Sequence, residues 1–152
     1  MAKSLFEQIV DKSVTFINKE DLEGITQIGN NAFTECTSLT SIIIPDSTKL
    51  ICNASFSQCT SLTTVTVGNS VSSIERLSFA NVGGAMSISN VYFRQPSGMT
   101  ISLPTAGSID GMFYVKTARN MNVHTDNETI KNYAWASDNI TPTFYHLDGT
   151  PW

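Results

Sequence analysis

Five side chains of the 152-residue chain carry thiol or imidazole groups that could act as nucleophiles, proton carriers or metal ligands: Cys36, Cys52, Cys59, His124 and His146. Zinc sites draw their ligands from closely spaced pairs, and this spacing matches no such pattern. The chain also has no G-x-S-x-G, P-loop, G-x-G-x-x-G, H-E-x-x-H or EF-hand sequence. We therefore predict no catalytic residues, no metal site and no cofactor.

The two histidines leave one enzymatic alternative open. Either imidazole could pair with a nearby carboxylate, Asp126 or Asp148, as in many hydrolases. No nucleophile is fixed beside either histidine in the sequence, and surface histidines next to loop carboxylates are common. The sequence therefore favours a non-enzymatic protein over a hydrolase that uses His124 or His146.

The cysteines have a different explanation. Cys36 and Cys59 each begin a copy of the sequence CTSLT, 23 residues apart. Free cysteines are among the most buried residues, so a thiol at a fixed phase among apolar neighbours is expected in the core. Cys52 occupies a turn position, and its reactivity stays open. An odd number of cysteines without a secretory leader argues against a disulfide scaffold.

Composition excludes other classes of function. Only 14% of the residues are charged, the net charge is −4 and no run of Lys or Arg occurs, so we predict no nucleic-acid partner. The longest apolar runs are too short to cross a bilayer, and we predict no membrane insertion. Glu7 and Asp11 interrupt the N-terminal segment, which therefore does not read as a signal peptide. We expect synthesis in the cytoplasm and leave the final location open.

A 23-residue repeat organises the first half of the chain. Residues 28–50 and 51–73 are identical at nine of 23 positions. Most of the repeated positions are apolar, as expected when successive units stack and share one core. The predicted structural core is Ile28, Phe33, Cys36, Leu39, Ile51, Phe56, Cys59, Leu62, Ile74 and Phe79. In this arrangement Phe33, Phe56 and Phe79 lie above one another.

Each repeat contains one clear short strand. The triplets 42–44 and 65–67 place β-branched residues at alternate positions, which is typical of a strand. Pro45 or Gly68 follows directly and ends it. Further strands are predicted in NVYF, in MTISLP around Ile101 and Leu103, and in GMFYVK around Phe113.

The pattern Ile-Gly-x-x-Ala-Phe-x-x-Cys-x-Ser-Leu-Thr-x-Ile-x-Ile-Pro in residues 28–45 resembles the BspA-like leucine-rich repeat family. The second copy departs from it at Cys52 and Gly68, and the third at Val82. The resemblance implies a mainly β fold with short helices. That fold is a right-handed leucine-rich-repeat solenoid of about four to five coils with helical N- and C-terminal caps.

The chain is predicted to form one structural domain with three parts. Residues 1–27 form an N-terminal cap with a helix near residues 5–10 and a strand at 14–17. Residues 28–125 form the solenoid, with clear repeats at 28–50 and 51–73 and degenerate ones over 74–125. Residues 126–152 form the C-terminal cap and tail. There the capping-box pair Thr125 and Glu128 predicts a helix over residues 128–136.

One side of the predicted strands faces outward. If Ile42 and Ile44 point into the core, Ile43 points away from it. The equivalent outward residues complete a predicted binding stripe of Ile43, Thr66, Tyr92, Ser102, Tyr114 and His124. Exposed Ile and Tyr in line are typical of an interaction face. Strand propensity alone would also place them there, so both interpretations stay open.

The family resemblance implies protein recognition or adhesion at a microbial surface. The opening LFEQIVDKSVTFI also resembles leaderless repeat proteins of bacteriophages and gut bacteria. We therefore predict an interaction or assembly module, either a virion structural or decoration subunit or a surface-displayed binding protein. Its partners would be proteins, neighbouring subunits or a host-surface ligand. A BspA-type cell-surface adhesin is the alternative, and a spacer without a ligand is a third hypothesis.

Overall fold

Each of the first three coils contributes one strand to each of two parallel sheets. The computed structural model describes residues 12–81, 87–104, 111–113, 119–133, 135 and 139–152. Together they form a mainly β solenoid of about five turns. The elements are β1 Phe16–Ile17, β2 Gln27–Ile28, β3 Ser41–Ile43, β4 Leu50–Ile51, β5 Thr64–Val67, β6 Ser73–Ile74, β7 Asn90–Phe93, β8 Arg119–Thr125, α1 Glu128–Lys131 and β9 Ile140–Tyr145.

The larger sheet has six parallel strands in the order β1-β3-β5-β7-β8-β9, and the smaller has the order β2-β4-β6. In the first coils the register follows the repeat, so that Ile42 pairs with Val65 and Ile51 with Ile74. Burial alternates along the longer strands: Val65 and Val67 are buried, whereas Thr64 and Thr66 are partly exposed. This alternation is the strand pattern predicted from the β-branched residues.

Stacked aromatic rings form the centre of the core. The ring centroids of Phe33 and Phe56 lie 5.1 Å apart, and those of Phe56 and Phe79 lie 5.3 Å apart, each pair 3° from parallel. The column predicted from the repeat is therefore present. It continues through Phe113, 5.1 Å from Phe79, to Trp135, 5.5 Å from Phe113. The last two members lie beyond the regular repeats.

The remaining positions of the predicted core pack around this column. All of them are buried: Ile28, Cys36, Leu39, Ile51, Cys59, Leu62 and Ile74. Two buried serines carry hydrogen bonds between coils. The hydroxyl of Ser55 lies within hydrogen-bond distance of the Gly29 carbonyl oxygen in the preceding coil, as well as of the Cys52 carbonyl oxygen in its own coil. The hydroxyl of Ser78 lies within hydrogen-bond distance of the Cys52 carbonyl oxygen in the preceding coil. These bonds satisfy polar groups that would otherwise be costly to bury.

The turns of the coils repeat an unusual backbone conformation. Asn31, Ala54 and Leu77, 23 residues apart, have φ between 55° and 57°. Glu35 and Gln58 form a second such series, with φ of 58° and 61°. Left-handed φ values are uncommon for residues other than glycine. The repeat therefore fixes the backbone geometry of each turn even where the residue type does not favour it.

The degenerate coils differ from their predicted strands. The segment MTISLP forms no named strand, and Ser102 instead makes an isolated parallel bridge with Ser73, beside the smaller sheet. Phe113 lies in a turn and joins the aromatic column. The strand predicted in MTISLP is therefore wrong. Phe113 is a turn residue rather than a strand residue, and residues 114–116 of GMFYVK lie outside the described residues. Extra residues between Phe79 and β7 shift β7 to a later position than the 23-residue period predicts. Ser102 and Phe113 therefore belong to the part of the coil that follows β7.

The helical caps are not supported. The N-terminal helix predicted near residues 5–10 lies outside the described residues. At the C-terminal end, α1 is one turn, Glu128–Lys131, rather than a helix over 128–136. Its N-cap is Asn127, whose side chain accepts hydrogen bonds from the backbone N–H groups of Thr129 and Ile130. Strand β9 extends the larger sheet beyond it.

Candidate interaction face

The outward side of the larger sheet carries a row of paired residues, one on each of β3, β5, β7, β8 and β9, which we call the outer row. It consists of Ile43, Thr66, Tyr92, His124 and Tyr145. All five side chains are partly exposed, while their neighbours along the strands point into the core. The parallel register thus converts residues distant in sequence into one continuous line across the sheet.

Three aromatic rings of the outer row are stacked. The centroids of Tyr92 and His124 lie 4.2 Å apart with the planes 15° from parallel, and those of His124 and Tyr145 lie 5.1 Å apart at 19°. His124 is thereby enclosed between two rings. Such pairs contribute about 0.5–1.5 kcal/mol beyond the area that they bury. The outer row is consequently a preorganised surface at this end of the sheet.

Enclosure changes the acid–base behaviour of His124. Its Nδ1 atom is buried and has no hydrogen-bond partner. Burial lowers the pKa of the imidazole from its ordinary value of 6.5, although a hydrogen bond with the backbone of His146 opposes the shift. Burial favours the neutral ring because a charged imidazole loses hydration. The stack therefore presents an uncharged aromatic surface at neutral pH.

A polar row runs parallel to the outer row, two residues earlier on each strand. It contains Ser41, Thr64, Asn90, Asn122 and Thr143. The side-chain amide of Asn122 donates a hydrogen bond to Oδ1 of Asn90 at 3.0 Å. The outward side of the sheet therefore combines an apolar and aromatic line with a line of hydroxyl and amide groups. Both kinds of group are used in protein interfaces.

A cleft of about 260 Å³ opens beside Tyr92 and is lined by Thr66, Tyr92, Arg94 and Leu147. Arg94 is the next outward residue after Tyr92 on the same chain segment. Its Nη1 atom lies 4.0 Å from Oδ1 of Asp46, and both side chains are about half exposed. Asp46 also accepts a hydrogen bond from the backbone N–H of Asn69. The guanidinium is therefore weakly paired and accessible from the cleft.

Residues 146–150 form a turn after β9, which we call the C-terminal turn. It brings Leu147 to this cleft. His146 Nδ1 lies 2.7 Å from Oδ1 of Asp126, and the His146 ring stacks on Trp152 with centroids 4.3 Å apart. The Trp152 indole donates a hydrogen bond to the Thr125 carbonyl oxygen at 2.8 Å. Lys131 Nζ lies 3.7 Å from the centroid of the same ring. These contacts hold the turn against the end of β8.

The structure places four of the six residues predicted for the stripe in the outer row: Ile43, Thr66, Tyr92 and His124. Ser102 is not among them, because it pairs with Ser73 beside the smaller sheet. There it lines a separate cleft of about 560 Å³. Tyr114 lies outside the described residues.

Sequence reasoning did not include Tyr145 in the stripe. The alternation of Thr141, Thr143 and Tyr145 in the tail was the available signal, since these residues face one side of β9. Arg94 and Leu147 were also missed. They approach each other only through the C-terminal turn, for which no sequence pattern was available.

The three cysteine thiols lie in the interior of the solenoid. Cys36, Cys52 and Cys59 are all buried, and the Sγ of Cys52 accepts a hydrogen bond from Gln27. Burial raises the pKa of Cys36, and burial together with the neighbouring Cys36 raises that of Cys59 to about 12. Thiols react as thiolates, so these two are poor nucleophiles. The burial of Cys52 also argues against the reactivity that its turn position left open.

The hydrolase hypothesis required a histidine beside Asp126 or Asp148. The structure brings His146 to Asp126, as described above. Asp148 instead accepts hydrogen bonds from the backbone and hydroxyl of Thr150, which lower its pKa. Within the ranges that the structure describes, no hydroxyl or thiol is hydrogen-bonded to the His146 ring. The same residues hold no group of three or more His, Cys, Asp and Glu suited to a metal ion. No helix among them is long and apolar enough to cross a membrane.

A coiled parallel sheet with a continuous outward row is the architecture of a repeat protein with one exposed sheet face. The family model for the BspA type leucine rich repeat region matches residues 26–145 in six copies. The chain therefore belongs to the BspA-type leucine-rich repeat family. Such repeats generally mediate protein–protein interaction and are typically non-enzymatic. Comparison with curated proteins and with solved structures gave no significant match.

Proposed function

We propose that this protein is a non-enzymatic interaction module that binds its partner through the outer row. The observation that carries the proposal is the continuity of the row, with five paired, partly exposed residues and three stacked rings. Rigid aromatic side chains give large contact areas at a small entropic cost, and they dominate binding hot spots. The stack of Tyr92, His124 and Tyr145 would be the centre of such a site.

The proposed setting is an assembly at a particle or cell surface. A virion structural or decoration subunit is favoured by the resemblance of the opening sequence to phage and gut-bacterial proteins. A BspA-type adhesin is favoured by the family itself. In both cases the partner is a protein or a neighbouring subunit. Capsid or tail genes beside this one would support the first version, and surface-export genes the second.

The test compares matched variants of the purified chain. Ile43→Ser and Tyr92→Ser remove apolar contacts from the outer row, whereas Ile25→Ser removes one from an exposed side chain outside it. Association with the partner, or self-association measured by analytical ultracentrifugation, should weaken about tenfold in the first two variants. It should be unchanged in the third. Equal association of all three variants would contradict the proposal and favour a purely structural protein without a ligand.

Among the described residues, the contact between His146 and Asp126 is the observation that favours a hydrolase. An imidazole oriented by a carboxylate is two-thirds of a catalytic triad. We propose that it instead fixes the C-terminal turn, because the ring also stacks on Trp152. Alanine at His124 and His146 decides between the two, since a hydrolytic activity lost with these residues would restore the enzyme hypothesis.

A further inference from the structure

We propose that the cleft between Thr66, Tyr92, Arg94 and Leu147 binds a sugar that bears a carboxylate, such as a uronic or sialic acid residue of a glycan. This inference rests on the proposed function in one respect, which is that the cleft lies on the same face of the sheet as the outer row. It adds a site with its own chemistry, which would recognise a glycan rather than a protein surface.

The ring of Tyr92 supplies the apolar part of the site. One ring face is covered by His124 at 4.2 Å. Strands β8 and β5 flank β7 on opposite sides, so the other ring face is directed towards Thr66 on β5. Thr66 is much smaller than an aromatic residue and leaves that face open to the cleft. The apolar C–H face of a pyranose ring matches such an aromatic plane, while the sugar edges remain available for hydrogen bonds.

Arg94 supplies the charge. It is the one charged side chain among the described residues that line the cleft. Its contact with Asp46 is long, at 4.0 Å, and half exposed, so most of the guanidinium donors remain available. A guanidinium binds a carboxylate through two parallel hydrogen bonds, which gives both affinity and orientation. A neutral sugar would leave this group unused.

The size of the cleft limits the ligand. Its volume of about 260 Å³ is below the range of about 300–1,000 Å³ usual for complete small-molecule sites. One sugar ring therefore fits, with the rest of the glycan outside. Leu147 provides an apolar wall on which a methyl group of the sugar could pack.

A peptide is a poorer match for this cleft. Peptides are commonly recognised by strand addition at a free sheet edge or by capture of a terminus on free backbone groups. Strands β5 and β7 are each paired on both sides. The cleft therefore offers side chains and no free strand edge, which suits a compact ring with an anionic substituent.

The experiment uses the full chain labelled with ¹⁵N and two probes, methyl β-glucuronide and methyl α-sialoside. We expect at least one of them to bind with a millimolar Kd and to shift the amide signals of Thr66, Tyr92 and Arg94. Methyl β-glucoside, which lacks the carboxylate, should bind at least about tenfold more weakly, because a charge-assisted hydrogen bond is lost.

The variants make the assignment specific. Arg94→Gln should weaken binding of the acidic sugar about tenfold, and Tyr92→Leu, which keeps apolar bulk without the ring, should also weaken it. Arg119→Gln changes the net charge equally at an exposed position of β8 and should have no effect. Unchanged amide signals elsewhere show that a variant is folded.

The proposal is overturned if neither acidic sugar shifts these signals, or if Arg94→Gln binds as the unaltered chain does. It is also overturned if an acetylated peptide with a free C-terminal carboxylate binds the cleft more tightly than either sugar. If the sugars fail while Ile43→Ser and Tyr92→Ser still weaken protein association, only the cleft assignment is lost. If the sugars bind while protein association is unaffected by those variants, the proposed function fails and this site remains.

Discussion

The rings of Tyr92 and His124 are stacked on the outward side of the sheet, with centroids 4.2 Å apart and planes 15° from parallel. The two residues are direct partners in the parallel register of β7 and β8. Neighbouring strands lie about 4.7–4.9 Å apart, a spacing close to the contact distance of two aromatic rings. The same geometry stacks the phenylalanines inside the solenoid. Ring ladders therefore stabilise the coils from within and shape the face outside.

This stack predicts the titration of His124. In the folded chain its pKa should be below 6.5, because burial disfavours the charged imidazole. The unfolded chain then binds the proton more readily than the folded one. Stability should accordingly fall as pH decreases from about 6.5 towards the folded pKa, and should level off below it. NMR titration of the imidazole signals measures the pKa directly.

The variant His124→Phe keeps a ring in the stack but cannot titrate. Its free energy of unfolding should therefore depend less on pH over the same window. A folded-state pKa at or above 6.5 for His124 would contradict the described environment.

The aromatic column predicts a large difference between two substitutions in one coil. Phe56→Ala removes a fully buried ring between Phe33 and Phe79 and should lower the free energy of unfolding by about 3–5 kcal/mol. Thr66→Ala alters a partly exposed outward residue and should cost less than about 1 kcal/mol. Chemical denaturation measures both. Similar costs would mean that the strand phase is wrong.

The close approach of two backbones predicts the behaviour of Gly68. A Cβ atom there would lie 2.6 Å from the carbonyl carbon of Pro45, closer still to its oxygen, and 2.8 Å from the carbonyl oxygen of Ile44. Gly68→Ala should therefore lower the melting temperature, with a cost of about 1–3 kcal/mol for the enforced shift. Gly98→Ala is the control, because its Cβ would meet nothing within 4 Å. An unchanged melting temperature for Gly68→Ala would refute the close approach.

The left-handed turn residues predict a stabilising substitution. Ala54 has φ of 55°, a conformation that costs a non-glycine residue about 1–2 kcal/mol. Glycine relieves this strain but loses more entropy on folding, by roughly 0.5–1 kcal/mol. Ala54→Gly should thus raise the free energy of unfolding by about 0.5 kcal/mol. Ala32→Gly, at a position without positive φ, should lower it, and the opposite signs are the test.

The sequence predicted the fold most accurately where the repeat is regular. Between Ile43 and Thr66 the paired residues are 23 positions apart, and both strand phase and core column follow from that period. From Thr66 to Tyr92 the step is 26 residues, and from Tyr92 to His124 it is 32. Once the spacing between paired residues varies, the position of a residue within its coil cannot be predicted from the 23-residue period. Ser102 was therefore assigned to the wrong sheet, and Phe113 was taken for a strand residue rather than a turn residue.

The amino-acid sequence by itself determined the period, the alternation of buried and exposed residues in each strand and the family to which the chain belongs. These features depend on short-range sequence patterns that recur in successive coils. The tertiary structure decided that Tyr145 extends the outer row and that Leu147 returns to the cleft beside Tyr92 and Arg94. It also brought His146 to Asp126. These contacts join segments that are not related by the 23-residue period. They therefore depend on how the C-terminal residues pack against the last strands.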